Sequence, residues 1–108
     1  MLARSFDPQR MERAATEVAA LLRALANRHR LLILCKLVES GEASVNSLAD
    51  AVGLSQSALS QHLAMMREEG LVTYRRESQT LWYRIADARA ETLLATLYAL
   101  YCNPKKPR

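Results

Sequence analysis

Cys35 and Cys102 are the only thiols in the 108-residue chain. A thiolate is a nucleophile and a soft metal ligand, so these positions could carry redox, sulfur-transfer or metal chemistry. There is no C-x-x-C pair, no Ser/His/Asp grouping and no paired carboxylates outlining a catalytic pocket. The chain therefore reads as a non-enzyme rather than a small thiol oxidoreductase. Its two histidines, His29 and His62, do not cluster along the chain. His29 opens an apolar helix and reads as a capping or packing residue. His62 flanks a polar helix face, where it could touch a phosphate or neighbouring backbone. On the residues alone, an inert buried thiol at Cys35 and an exposed terminal one at Cys102 account for the cysteines equally well.

A second kind of chemistry lies between Ser44 and Val72. Ser44 caps a short helix over Val45–Val52, and Gly53 ends it because glycine takes a left-handed conformation at little cost. Ser55 caps the next helix, which runs to about Glu69, and Gly70 stops it. Leu59, Leu63 and Met66 form that helix's apolar stripe. Gln56, Ser57, Ser60, Gln61 and Ala64 fall on the opposite side, a polar and nearly uncharged face. A merely solvated helix usually carries Lys and Glu there. Glutamine and serine early in a helix suit hydrogen bonds to base edges, and an uncharged helix N-terminus does not repel phosphates. The pattern predicts a helix-turn-helix whose second helix reads DNA. An ordinary helical hairpin with a polar outer face is the alternative.

Other elements must hold these residues in place. A helix from about Gln9 to near Asn27 lines up Met11, Ala15, Val18, Leu22 and Leu25, after a frayed start. Arg28–Glu39 is apolar most of the way round and reads as a central helix that contains Cys35. After Gly70 the period changes to that of strands, over Leu71–Arg76 and Thr80–Ile85, joined by Glu77-Ser78-Gln79. This hairpin, a wing, brings Arg75, Arg76, Gln79 and Arg84 beside the reading helix, where arginines suit phosphates or a minor groove. A hairpin made soluble by arginine fits the same residues. Asp87 caps a last helix from Ala88 to about Tyr101, followed by Cys102 and a basic tail, Asn103–Arg108. The fold class expected is mainly α with a β-hairpin wing, forming one domain over residues 1–108 with a flexible segment 1–9. The terminal helices carry more apolar surface than a core this small needs, which predicts a homodimer paired through them. Its reading helices would then meet a near-palindromic operator one turn, ~34 Å, apart.

Composition is compatible with this. Half the residues are hydrophobic, which excludes disorder, and the formal net charge of +4 suits an anionic partner without proving one. No apolar run approaches the ~20 residues that span a bilayer, and Met1–Arg10 lacks the core of a signal peptide. A cytoplasmic protein without membrane contact or cofactor is the expectation.

The order of elements resembles the ArsR-type winged-helix repressors. The residues that carry the likeness are Leu25–Leu34, Leu54–Leu63, Arg67–Val72 and Trp82–Ile85. The resemblance implies a homodimeric repressor that binds double-stranded operator DNA through Ser55, Gln56, Ser57, Ser60, Gln61, His62, Arg75, Arg76, Gln79 and Arg84. Many members of that family sense metals. One of its metal sites needs a Cys-x-Cys pair in the third helix, where this chain has Val45-Asn46-Ser47-Leu48-Ala49-Asp50. Another needs Asp-x-His on the last helix, where this chain has Asp87-Ala88-Arg89. Neither site can form, so no metal is expected. The phrases Leu34-Cys35-Lys36-Leu37 and Leu100-Tyr101-Cys102 are instead similar to the sulfide- and persulfide-sensing branch. That likeness implies a redox-sensing pair, Cys35 and Cys102, joined on oxidation by a disulfide or a bridge of extra sulfurs, with a reactive sulfur species or another thiol oxidant as inducer. A peroxide-responsive regulator or an anti-repressor stays open beside it.

Overall fold

The computed structural model describes residues 6–102, so the expectations for residues 1–5 and for the tail Asn103–Arg108 lie outside the described residues. Helix α1 spans Pro8–Leu25 and starts earlier than expected. Asp7 accepts a hydrogen bond from the Gln9 N–H at 3.0 Å, and Pro8 occupies the first turn, where it gives up no helical bond. Helix α2 (Arg28–Ser40) begins at Asn27, whose side chain accepts from the Arg30 N–H. Helices α3 (Val45–Val52) and α4 (Gln56–Glu68) are capped by Ser44 and Ser55, and α5 (Ala88–Tyr101) by Asp87.

The expected hairpin is present as β2 (Val72–Glu77) and β3 (Thr80–Ile85). Its turn is tighter than expected: Glu77 pairs with Thr80, and Ser78 takes a positive φ of 58°. A third strand also forms. β1, Ala43–Ser44, pairs antiparallel with β3 at Tyr83 and Trp82, giving the order β1-β3-β2. Two residues show no period of their own, so only the tertiary pairing reveals this strand.

The core joins α2 (Ile33, Leu34, Leu37), α3 (Leu48), α4 (Leu59, Leu63, Met66) and α5 (Leu94) to Val72 and Tyr83 of the sheet. Burying each such side chain is worth about 1.5–3 kcal/mol. The terminal helices contribute little: only Ala24 and Leu25 of α1, and Ala90 and Leu94 of α5, are buried. Met11, Leu22, Tyr98, Leu100 and Tyr101 stay exposed in the single chain.

Candidate nucleic-acid interface and thiol pair

The turn between α3 and α4 is built on Gly53, in the left-handed region at φ 73°. The hydroxyl of Ser55 is taken by its cap, accepting from the Ala58 N–H at 3.1 Å. Gln56, Ser57, Ser60, Gln61 and Ala64 are all exposed, while Leu59, Leu63 and Met66 on the opposite side are buried. The Gln56 amide donates to Asn46 Oδ1 of α3, so the two helices of the motif are pinned at the surface that faces outward. The sequence does not single out Asn46 for this contact; it lies two residues after the cap Ser44, in the first turn of α3.

His62 does not stand with the glutamines. It is half-buried, and its ring lies 5.9 Å from that of His29 on α2. Burial, aided by the charges of Arg30 and His29, holds His62 below the ordinary imidazole range. Arg30 is itself buried. It donates to the Ala24 carbonyl at 3.1 Å and to Glu69 Oε1 at 3.0 Å, and it tethers α1, α2 and α4.

Register separates the wing arginines. Arg75 pairs with Trp82 and Arg84 with Thr73, so both lie on the outer face, whereas Arg76 pairs with Leu81 on the other. Arg75 is engaged: it donates twice to Glu42, at 2.9 and 3.0 Å, and to Glu77 at 3.2 Å. The bond from Arg75, with the charge of Arg84 adding, holds the Glu42 carboxyl below its usual range. Arg76, Gln79 and Arg84 are exposed, with no side-chain partner among the described residues. Glu42 is a second residue the sequence alone did not single out. Arg67 sits over the Tyr74 ring at 5.0 Å and fastens the end of α4 to the wing.

Cys35 lies midway along α2, against which α5 packs, and Cys102 is the residue that closes α5. Both cysteines are free thiols, Cys35 half-buried and Cys102 exposed. Burial pushes the Cys35 thiol up, and the charge of Cys102 adds to the shift.

Residues 27–74, which include the whole helix-turn-helix, match the family model of the bacterial regulatory proteins of the arsR family. The transcriptional activator HlyU of Vibrio cholerae is 45% identical over 88% of this chain and 87% of its own length. The chain belongs to the ArsR family. The biofilm growth-associated repressor of Agrobacterium fabrum is 44% identical, with 89% of this chain and 81% of that protein covered. The crystal structure of the transcriptional repressor BigR from Xylella fastidiosa superposes with a TM-score of 0.84 at 41% identity, over 91% of this chain and 99% of that one. This ArsR protein is accordingly a DNA-binding transcriptional regulator of the HlyU and BigR type with a winged helix-turn-helix fold, and not an enzyme. Among its described residues, no helix is long and apolar enough to cross a membrane.

Proposed function

We propose that this chain is a homodimeric repressor that leaves its operator when Cys35 and Cys102 become linked by a reactive sulfur species. One observation carries the reading. Helix α5 packs on α2, Cys35 lines the groove between them, and Cys102 closes α5. A thiolate of the pair attacks the outer sulfur of a persulfide or polysulfide, and the second resolves the product at high effective concentration.

The exposed apolar side chains of α1 and α5 supply the surface for pairing across a two-fold axis. A bond between α2 and α5 then alters helices that also shape the dimer, and with them the spacing of the two α4 helices. A difference of ~1–3 kcal/mol between open and linked forms changes operator affinity about 5–150-fold. DNA contact falls to Gln56, Ser57, Ser60 and Gln61 for base edges, and to Arg76, Gln79 and Arg84 for backbone. Ser55 orders the helix start, His62 braces it against α2, and Arg75 is held in reserve by Glu42.

The test titrates labelled operator with reduced protein and with protein treated with a persulfide donor. Treated protein should bind more weakly, and Cys35→Ser should bind without being released. Equal binding of both forms rules the switch out. Mass spectrometry separates a bridge with added sulfur from a disulfide, and peroxide in place of the donor separates general oxidation from sulfur transfer. The relative named as an activator favours a second reading, in which the regulator displaces another repressor. Reporter output from a promoter carrying its operator, with and without the protein, distinguishes the two.

A further inference from the structure

Cys35 has a second surrounding besides its place as one of the two thiols. It lies in the wall of a groove of about 500 Å³ between α2, the end of α3 and α5. Leu32, Val38, Val52, Leu94 and Tyr98 line it, and Lys36 and Glu39 stand at its rim, 3.5 Å apart. Volume and lining are those of a small-molecule site: mostly apolar walls with a few polar groups. An exposed pair such as Lys36–Glu39 is weakly held and does not close the mouth. Cys102 is not part of this wall; it meets solvent directly. The two thiols therefore have different approaches.

We propose that the groove binds organic persulfides with an apolar body and presents their outer sulfur to Cys35. This rests on the dithiol reading above and adds a substrate class to it. Seating the donor compensates for a thiol that burial keeps mostly protonated, because a held donor has a high effective concentration. The Cys35 thiolate attacks the outer sulfur of R–S–SH. The donor's S–S bond breaks, and the electron pair leaves on R–S⁻, which takes up a proton. The Cys102 thiolate then attacks the Cys35 sulfur and expels HS⁻, which is protonated in turn. Two protein thiols are oxidised to one disulfide, and the persulfide is reduced to R–SH and H₂S. Small polar donors need no groove and react at Cys102.

The experiment compares octyl persulfide, generated in situ, with glutathione persulfide at equal concentration, following thiol linkage by mass spectrometry of the intact protein. The octyl donor should react about tenfold faster or more, the discrimination an apolar pocket supplies. Ala51 and Ala95 are exposed and border the groove, so Ala51→Phe and Ala95→Leu fill it without touching the core. Either variant should erase the preference and leave the glutathione rate unchanged. Equal rates in the parent protein, or equal slowing of both donors in the variants, overturns the proposal. So does dissociation of the dimer by these variants in sedimentation, which would make the groove a subunit contact. Calorimetry of unreactive octyl methyl sulfide with the double variant Cys35→Ser, Cys102→Ser separates the two layers. Binding that Ala51→Phe abolishes supports the groove even if linkage never releases DNA. No binding overturns the groove and leaves the dithiol switch standing.

Discussion

The Arg30 guanidinium donates to Glu69 Oε1 at 3.0 Å, joining the first turn of α2 to the residue that ends the reading helix. The same guanidinium holds the Ala24 carbonyl at the close of α1. Three helices thus converge on one charged side chain that is 8% exposed. Truncating it leaves the Ala24 carbonyl and Glu69 without their donor. Arg30→Met should cost about 1–3 kcal/mol in urea unfolding, since the Glu69 side is open to water. Glu69→Gln, which keeps an acceptor, should cost less.

His62 makes stability depend on pH. Its folded pKa is lowered, chiefly by burial, so the unfolded chain takes up a proton on this imidazole at higher pH than the folded one. The stabilisation present above ~6.5 is lost as pH falls from there through the lowered folded value. In urea melts at pH 7.5 and 5.5, the parent should lose more stability than His62→Gln between the two pH values.

Glu42 occupies the Arg75 guanidinium. Glu42→Gln removes the charge that takes two of the three Arg75 bonds, leaving only Glu77, and should let the guanidinium turn to a phosphate. The slope of log affinity against log salt should steepen by about 1, while Arg75→Ala in the parent background should change it little.

Base readers and backbone binders should separate in competition assays. Gln61→Ala should cost about 1–3 kcal/mol on the cognate operator and relax discrimination at one position. Arg76→Ala should weaken binding to all sequences alike and flatten the salt slope by about 1.

Because the Cys35 thiol lies above its ordinary value, thiol linkage that depends on Cys35 should keep accelerating with pH beyond the point where an ordinary thiol levels off. Rates measured from pH 7 upward in Cys102→Ser, scored by sulfur added to Cys35, check this.

Much of this was legible along the chain because the signals are local. Ser44, Ser55 and Asp87 cap the helices they were expected to cap, and the change of period after Gly70 marks the wing. What stayed hidden rests on contacts between distant segments. Arginine is seldom buried, so nothing flagged Arg30 as a tether. His29 and His62 meet only once α2 and α4 pack together. Glu42 finds Arg75 only after β1 joins the sheet beside β3. The two faces of the wing follow from register, which no count of arginines could supply.

The passage from α4 into β2 has a kinetic consequence. The Gly70 N–H bonds to the Arg67 carbonyl at 3.0 Å and the Leu71 N–H to the Met66 carbonyl at 2.9 Å, a closed helix end with no slack, and Arg67 clasps Tyr74 across it. Reader and wing form one solid piece. A shift of the reading helix should carry the first strand of the wing with it, so the two should leave DNA together rather than one after the other.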